Sequence, residues 1–319
     1  MAHNFKEKIG YAVGNRLFEL IARISLIPTL YLTLTALIDT PYFSITYIIV
    51  GSLIGVWMIY HYSTTSYKMY INHQKIKTGY QREFLDKQVK IEYEVGSFWD
   101  VVDRFKEEEK VAVVLGVNNR FCLDDDYLSK TSLISDYMMN VSSDEREKIG
   151  RDIESTMIEH IKEYDQNNKP IYKFGSLFLI QPTEDSHYEV ALLSMCEPSA
   201  SNLSGRFAST RQTLIESFEK LFEQMPGVFT DYTLIIPLIG TKSSGSPLSQ
   251  EEVAKFLISA FANYSRVNQN RLAKRLIISL YDKDFKEMKE LMKIKNHIDM
   301  EADKGDFSYS KLKSEIEEK

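Results

Sequence analysis

Hydrophobic and polar positions divide this chain unevenly. Two apolar stretches fall within the first 67 residues, and short apolar runs alternating with amphipathic segments fill the rest. From Pro41 to Tyr67 there is no Asp, Glu, Lys or Arg, and Phe43 to Tyr60 reads FSITYIIVGSLIGVWMIY. A bilayer core takes roughly 20 mostly apolar residues, so this run predicts a membrane-spanning helix. Ile24 to Ile38 is also uncharged. As a helix it rises only about 22 Å, short of a bilayer core. Extended back to Leu17 it gains the length and takes in Glu19 and Arg23, four apart on one helix face. Pro28 would kink it, which neighbouring helices can accommodate. A signal peptide and an interfacial helix are the alternatives, and Thr35-Ala36-Leu37-Ile38-Asp39 is a poor cleavage site. The expectation for residues 1–67 is a two-helix transmembrane hairpin turning at Asp39 to Tyr42. Lys6, Lys8, Arg16 and Arg23 precede the turn, and Lys68, Lys75, Lys77 and Arg82 follow it. Positive flanks mark the cytoplasmic side, so the N-terminus and everything after the hairpin are expected there. Gly51 and Gly55 form a GxxxG spacing, read equally as small residues against the partner helix or as a subunit contact.

Beyond the hairpin the pattern changes. Residues 68–87 read as a helical juxtamembrane linker. Lys90 to Val95 alternates as a strand and Phe98 to Lys106 reads as a helix. Val111 to Leu115 is an unbroken apolar run, the mark of a strand buried on both faces. Glu145 to Tyr164 reads as an amphipathic helix, Ser176 to Gln181 and Tyr188 to Met195 as strands, and Ser209 to Gln224 as a helix. Tyr232 to Ile239 is a second buried strand. Ser249 to Tyr264 is a helix with Ser249 as N-cap and Glu252 at the capping-box position. Arg275 to Leu280 is a third apolar strand, and Lys283 to Lys293 a last helix. This alternation predicts an α/β fold, a three-layer α/β/α domain with a mixed sheet over residues 88–295. Residues 296–319 read as a charged tail with a short helix at best.

Charge and cysteine content narrow the function. A net charge of −6 over 319 residues argues against a general nucleic-acid binder, which needs a positive field. The basic cluster from Lys68 to Arg82 reads as a juxtamembrane signal near anionic lipid. Cys122 and Cys196 have no metal-ligand spacing and are expected to be reduced thiols, and the six histidines form no ligand pair. No metal and no cofactor are expected.

The sharpest local signal is Ile235-Ile236-Pro237-Leu238-Ile239-Gly240-Thr241-Lys242-Ser243-Ser244-Gly245-Ser246-Pro247-Leu248. A buried strand runs into a loop of small residues, and a helix begins at Ser249. Such a loop lets backbone N–H groups approach an anion, and the helix N-terminus adds positive partial charge. It has neither GxxxxGK[ST] nor GxGxxG, and a plain flexible loop is the alternative reading of these residues alone.

The segment resembles the phosphate loop of macro domains, in which a strand ending in Pro leads to Gly-Thr-Gly-x-x-Gly-x-Pro and a helix. Pro237, Gly240, Thr241, Gly245 and Pro247 fall in place, and Lys242 stands for the second Gly. Val111 to Asn119 is similar to the macro-domain strand that ends near the distal ribose, with Gly116, Asn118 and Asn119 at its exit; only one asparagine need carry the role. Ile277 to Asp282 is similar to the strand beside the adenine. The resemblance covers roughly residues 88–293. Two departures stand out. The early Gly-Asp-Ile is Gly96-Ser97-Phe98 here, without the Asp that reads adenine, and the Asn-Ala-Ala-Asn loop is incomplete. A membrane hairpin followed by such a divergent domain resembles the effectors of type II Thoeris antiphage systems. That resemblance implies a two-pass protein of the bacterial inner membrane. It receives an ADP-ribose derivative, a histidine adduct, made by a partner TIR-domain enzyme, assembles as a homo-oligomer and disrupts the membrane in abortive infection. A hydrolase would need a positioned base, and the candidates Asp124 to Asp126 lack a clear partner, which favours binding over catalysis; a membrane-tethered ADP-ribosyl hydrolase is the alternative. The expected ligand-binding residues are Gly116, Asn118, Asn119, Asp124, Arg206, Gly240, Thr241, Lys242, Ser243, Ser244, Gly245, Tyr281 and Asp282. Phe98, Tyr281 or Phe285 would wall the adenine. Asp124 to Asp126 read as a solvated helix-start cluster or a metal site.

Overall fold

The computed structural model describes residues 41–84, 88–107, 110–123, 128, 132–180, 187–198, 207–239, 248–267, 272–285, 287–303 and 316. Two compact units divide the chain, Met1–Asn72 and His73–Lys319. The described part of the first is helical and belongs to α1, which runs from Pro41 to Thr78 over 38 residues, its last residues falling in the second unit. The uncharged run Pro41 to Tyr67 lies wholly within it. Among the described residues no helix is long and apolar enough to cross a membrane. The expected first span and the turn at Asp39 and Thr40 lie outside the described residues, as do the side chains of residues 41–50.

The second unit is built on a mixed sheet. Its strands are β1 (Gly79–Phe84), β2 (Val89–Val95), β3 (Val111–Asn118), β6 (Leu177–Ile180), β7 (Glu189–Pro198), β8 (Phe207–Ala208), β9 (Thr233–Pro237) and β10 (Arg275–Leu280), while β4 (Ile161–Tyr164) and β5 (Pro170–Tyr172) form a separate ribbon. The order across the sheet is β1-β2-β10-β9-β3-β7-β6, with β8 on β7. β2, β10, β9, β3 and β7 are parallel, and β1 and β6 close the edges antiparallel. Helices cover both faces: α2 (Phe98–Phe105), α3 (Leu133–Met139) and α4 (Ser143–Thr156) on one, α5 (Arg211–Gln224), α6 (Gln250–Val267) and α7 (Met288–Asp303) on the other. Alternate residues of β3 show why. Ala112 and Val114 pack with α5 and α6, while Val111, Val113, Leu115 and Val117 pack with α2, α3 and α4. A strand sandwiched this way carries no polar face, which is what its continuous apolar run encodes.

Four expectations need correction. The linker helix expected over 68–87 stops at Thr78, and the chain enters β1 at once. A side chain at position 79 would meet Glu94 Oε1 at 2.6 Å and the Tyr93 carbonyl at 2.9 Å, so only glycine fits there. Tyr93 Oη donates to the Ile76 carbonyl at 2.9 Å, satisfying an end carbonyl of the helix. The helix expected over Glu145 to Tyr164 breaks at Met157 and ends in a hairpin strand. Only Ile149 and Ile153 of α4 are buried, and past them the register with β5 wins. The last helix starts at Met288, after a turn at Tyr281 to Asp284. It also runs on to Asp303, into the expected tail. Its inner face is Leu291, Ile294, His297, Ile298 and Glu301, two of them polar.

Candidate ligand site

The five parallel strands all end on one side of the sheet, at Val95, Leu280, Pro237, Asn118 and Pro198. Open α/β sheets bind ligands at that end because the exit loops and helix N-termini converge there.

At the β10 exit Tyr281 is 38% exposed, whereas Phe98 and Phe285 are buried. Of the three aromatic candidates, Tyr281 is the exposed one. Lys283 Nζ sits 5.5 Å from the centroid of its ring, and Asp282 beside it is exposed. The β2 exit is tied to this strand end, since the Gly96 amide donates to the Leu280 carbonyl at 2.9 Å. Ser97 is the N-cap residue of α2, yet its hydroxyl makes no capping bond.

At the β3 exit the two asparagines part company. Asn118 Oδ1 accepts from the amides of Arg120 (3.0 Å) and Cys122 (3.1 Å), and its Nδ2 donates to the Cys122 carbonyl at 3.2 Å. That side chain is consumed in closing its own loop. Asn119 is equally buried, but its Oδ1 has no hydrogen-bond partner among the described residues. A buried amide oxygen left unpaired costs about 1–3 kcal/mol, so it is the atom a donor from a ligand would satisfy. Gly116 has a packing role. A Cβ there would come within 2.6 Å of Ile239 Cγ2 and closer still to Met195 Sδ. Its bare backbone lets β3 lie against Ile239, the residue that leads into the Gly240 loop.

The two β2 carboxylates are paired, Glu94 near the strand exits and Glu92 with Arg275, which opens β10 at the opposite end of the sheet. Arg275 forks onto Glu92, Nε at 2.8 Å and Nη2 at 2.5 Å, and stacks 4.6 Å from the Phe105 ring centroid. Arg104 bonds Glu94. Burial, and next the hydrogen bond that its protonated carboxyl donates to Glu92, push Glu94 up to about 7, against the pull of Arg104 and Arg275. The capping box of α6 forms as its sequence implies: the Ser249 amide donates to Glu252 Oε2 at 2.9 Å, and the Glu252 amide to Ser249 Oγ at 3.2 Å. Among the described residues no group of His, Cys, Asp or Glu could hold a metal ion. Cys122 and Cys196 are not joined in a disulfide, and burial pushes Cys196 up to about 12.

Residues 71–281 match the family model of the Thoeris protein ThsA, macro domain. The chain belongs to the ThsA macro-domain family. No curated protein matches it. Among solved structures it is similar to the Oceanobacillus iheyensis macrodomain. A glycine-to-valine mutant with ADPR is 8% identical, covers 70% of this chain and 97% of its own, and has a TM-score of 0.43. The same macrodomain with ADP is 10% identical, covers 69% and 96%, and also has a TM-score of 0.43.

For this ThsA-type macro domain, the fold thus brings Asn118 and Asn119 to the β3 exit and Tyr281 and Asp282 to the β10 exit, with β9 between them. Asp124, Arg206, Gly240, Thr241, Lys242, Ser243, Ser244 and Gly245 lie outside the described residues. Sequence reasoning missed Glu94 and Arg104. The available signal was Lys90 to Val95 itself, where Glu92 and Glu94 put two carboxylates on one face of a predicted strand.

Proposed function

We propose that this macro domain receives an ADP-ribose-type signal, a histidine adduct made by a TIR-domain enzyme, and that binding drives assembly of a membrane-embedded effector that disrupts the bilayer of the infected cell. One observation carries the reading. An exposed aromatic at the β10 exit and a buried, unpartnered acceptor at the β3 exit flank β9, whose exit sequence is the Gly240-Thr241 to Gly245-x-Pro247 loop leading to the capped N-terminus of α6. Neighbouring strands lie about 4.8 Å apart, so base, diphosphate and terminal ribose would lie in order across roughly 10 Å of strand ends. Membership in the ThsA family supports the same ligand class. The anchor is supported by the charge-free run Pro41 to Tyr67 inside α1 and by the lysines that follow it. Gating then requires that the ligand bind the assembled state better than the resting one, since equal affinity shifts nothing.

The test is calorimetry of the chain with ADP-ribose and its histidine adduct, joined to dye leakage from proteoliposomes. Saturable binding, lost in Gly245→Val because a branched side chain fills the diphosphate space, and leakage that requires ligand are the expected results. Absence of binding by the wild type would end the reading. Steady conversion of ligand with the vesicles sealed would replace it with the hydrolase.

A further inference from the structure

The β4–β5 ribbon stands apart from the main sheet, and it is docked on the β3 exit loop by three successive residues. The Asn119 carbonyl accepts from the Tyr172 amide at 2.7 Å. Arg120 Nη1 donates to Asp165 Oδ2 at 2.5 Å. The Phe121 ring meets Tyr172 edge-on, centroids 5.1 Å apart. Phe121 itself has φ 48, a left-handed backbone that a bulky residue adopts only when its surroundings hold it there. From the other side the Asn119 amide donates to the Cys196 carbonyl at 2.7 Å.

Asp165 is the keystone of the ribbon. Its Oδ1 accepts from the Asn167 amide at 2.8 Å and the Lys169 amide at 2.9 Å, shaping the β4–β5 turn, while Oδ2 takes Arg120. A single carboxylate therefore shapes the turn and grips the loop. The loop it grips begins at Asn119, the residue whose buried Oδ1 is left without a partner.

We propose that the β4–β5 ribbon is a brace for ligand recognition, in which Asp165, acting through Arg120, is a positioning residue that holds Asn119 Oδ1 where it accepts a hydroxyl of the ligand's terminal ribose. The inference rests on the ADP-ribose reading above and adds to it which residues discriminate the terminal sugar. Asp165 does not touch the ligand. Its effect is confined to the β3 exit, away from the base at Tyr281.

ADP-ribose and ADP separate the two ends, because ADP lacks the terminal ribose. Calorimetric titration of the 319-residue chain with each probe is the measurement. In Asp165→Asn, ADP-ribose is expected to bind about tenfold more weakly, the scale of one charge-assisted contact, while ADP changes less than about twofold. Asn119→Ala should show the same loss, and adding Asp165→Asn to it should cost nothing more, since both act on one interaction. Arg120→Met, which removes the donor to Asp165, provides the second variant if Asp165→Asn fails to fold, and it should give the same selective loss. Equal weakening of both probes, or additive losses in the double variant, would show a purely structural ribbon and overturn the brace while leaving the ADP-ribose reading intact. A wild type that binds neither probe would remove both.

Discussion

Acidification offers a sharp test of how α6 and α7 are held together. His297 is buried between them; its Nε2 lies 2.8 Å from Ser259 Oγ, which also donates to Glu301 Oε1 at 2.7 Å, and Arg266 pairs with Glu301 at 3.1 Å. Burial, with the Lys255 charge, pushes His297 from 6.5 down to about 4. The unfolded chain therefore binds a proton between about pH 6.5 and 4 that the folded chain refuses. The stability from this group is full above 6.5 and is lost as pH falls toward 4. Between pH 7 and 5 the loss is about 2 kcal/mol from this residue alone. Glu94, with its carboxyl raised to about 7, and Glu301, raised by burial, act in the opposite sense, because their folded forms hold protons the unfolded chain gives up. The wild-type curve is thus a difference of opposed contributions. His297→Gln isolates one of them, since an amide keeps a partner for Ser259 without titrating. Urea unfolding at pH 7, 6 and 5 should show the variant gaining about 2 kcal/mol relative to wild type as pH falls. Parallel curves for the two proteins would refute the buried neutral histidine.

Two further outcomes follow from packing and charge. Gly116→Val drives a side chain into Met195 and Ile239, and should cost about 1–3 kcal/mol, lowering the melting temperature by several degrees; an unchanged melting temperature would mean that β3 does not pack as described. Arg275→Met strands the Glu92 carboxylate beneath α2 and should cost about 3–5 kcal/mol by urea unfolding, with most of it recovered when Glu92→Met is added. A single-variant cost below about 1 kcal/mol would remove the pair from the stability of the fold.

The central strands were legible because burial on both faces leaves an uninterrupted apolar run. Arg275 to Leu280 is a strand with the bounds its sequence implies. The α6 cap was legible because Ser249 and Glu252 are local to each other. What escaped depended on distant partners. β1 is a strand because Gly79 lies opposite Glu94, across a hairpin, and its own residues read as a polar helix continuation. α7 outran its expected end because His297 and Glu301 are buried through Ser259 and Arg266, bonds that no hydrophobic pattern records. At the site, residue type pointed to both asparagines. Only the loop's hydrogen bonds separate Asn118, which closes the turn, from Asn119, which keeps a free acceptor.

The place of β10 has a consequence for how the chain is made. It lies between β2 and β9, so the first hairpin of the domain cannot join the sheet until β10, the last of the described strands, has been synthesised. At about 5–20 residues per second, the ribosome needs roughly 10–40 s to travel from Val95 to Leu280. Through that interval Ile91 and Tyr93 have no β10 to cover them, and the Gly96 amide has no Leu280 carbonyl to hold it. A nascent chain can therefore expose α1 well before it can assemble the β2–β10 end of the site.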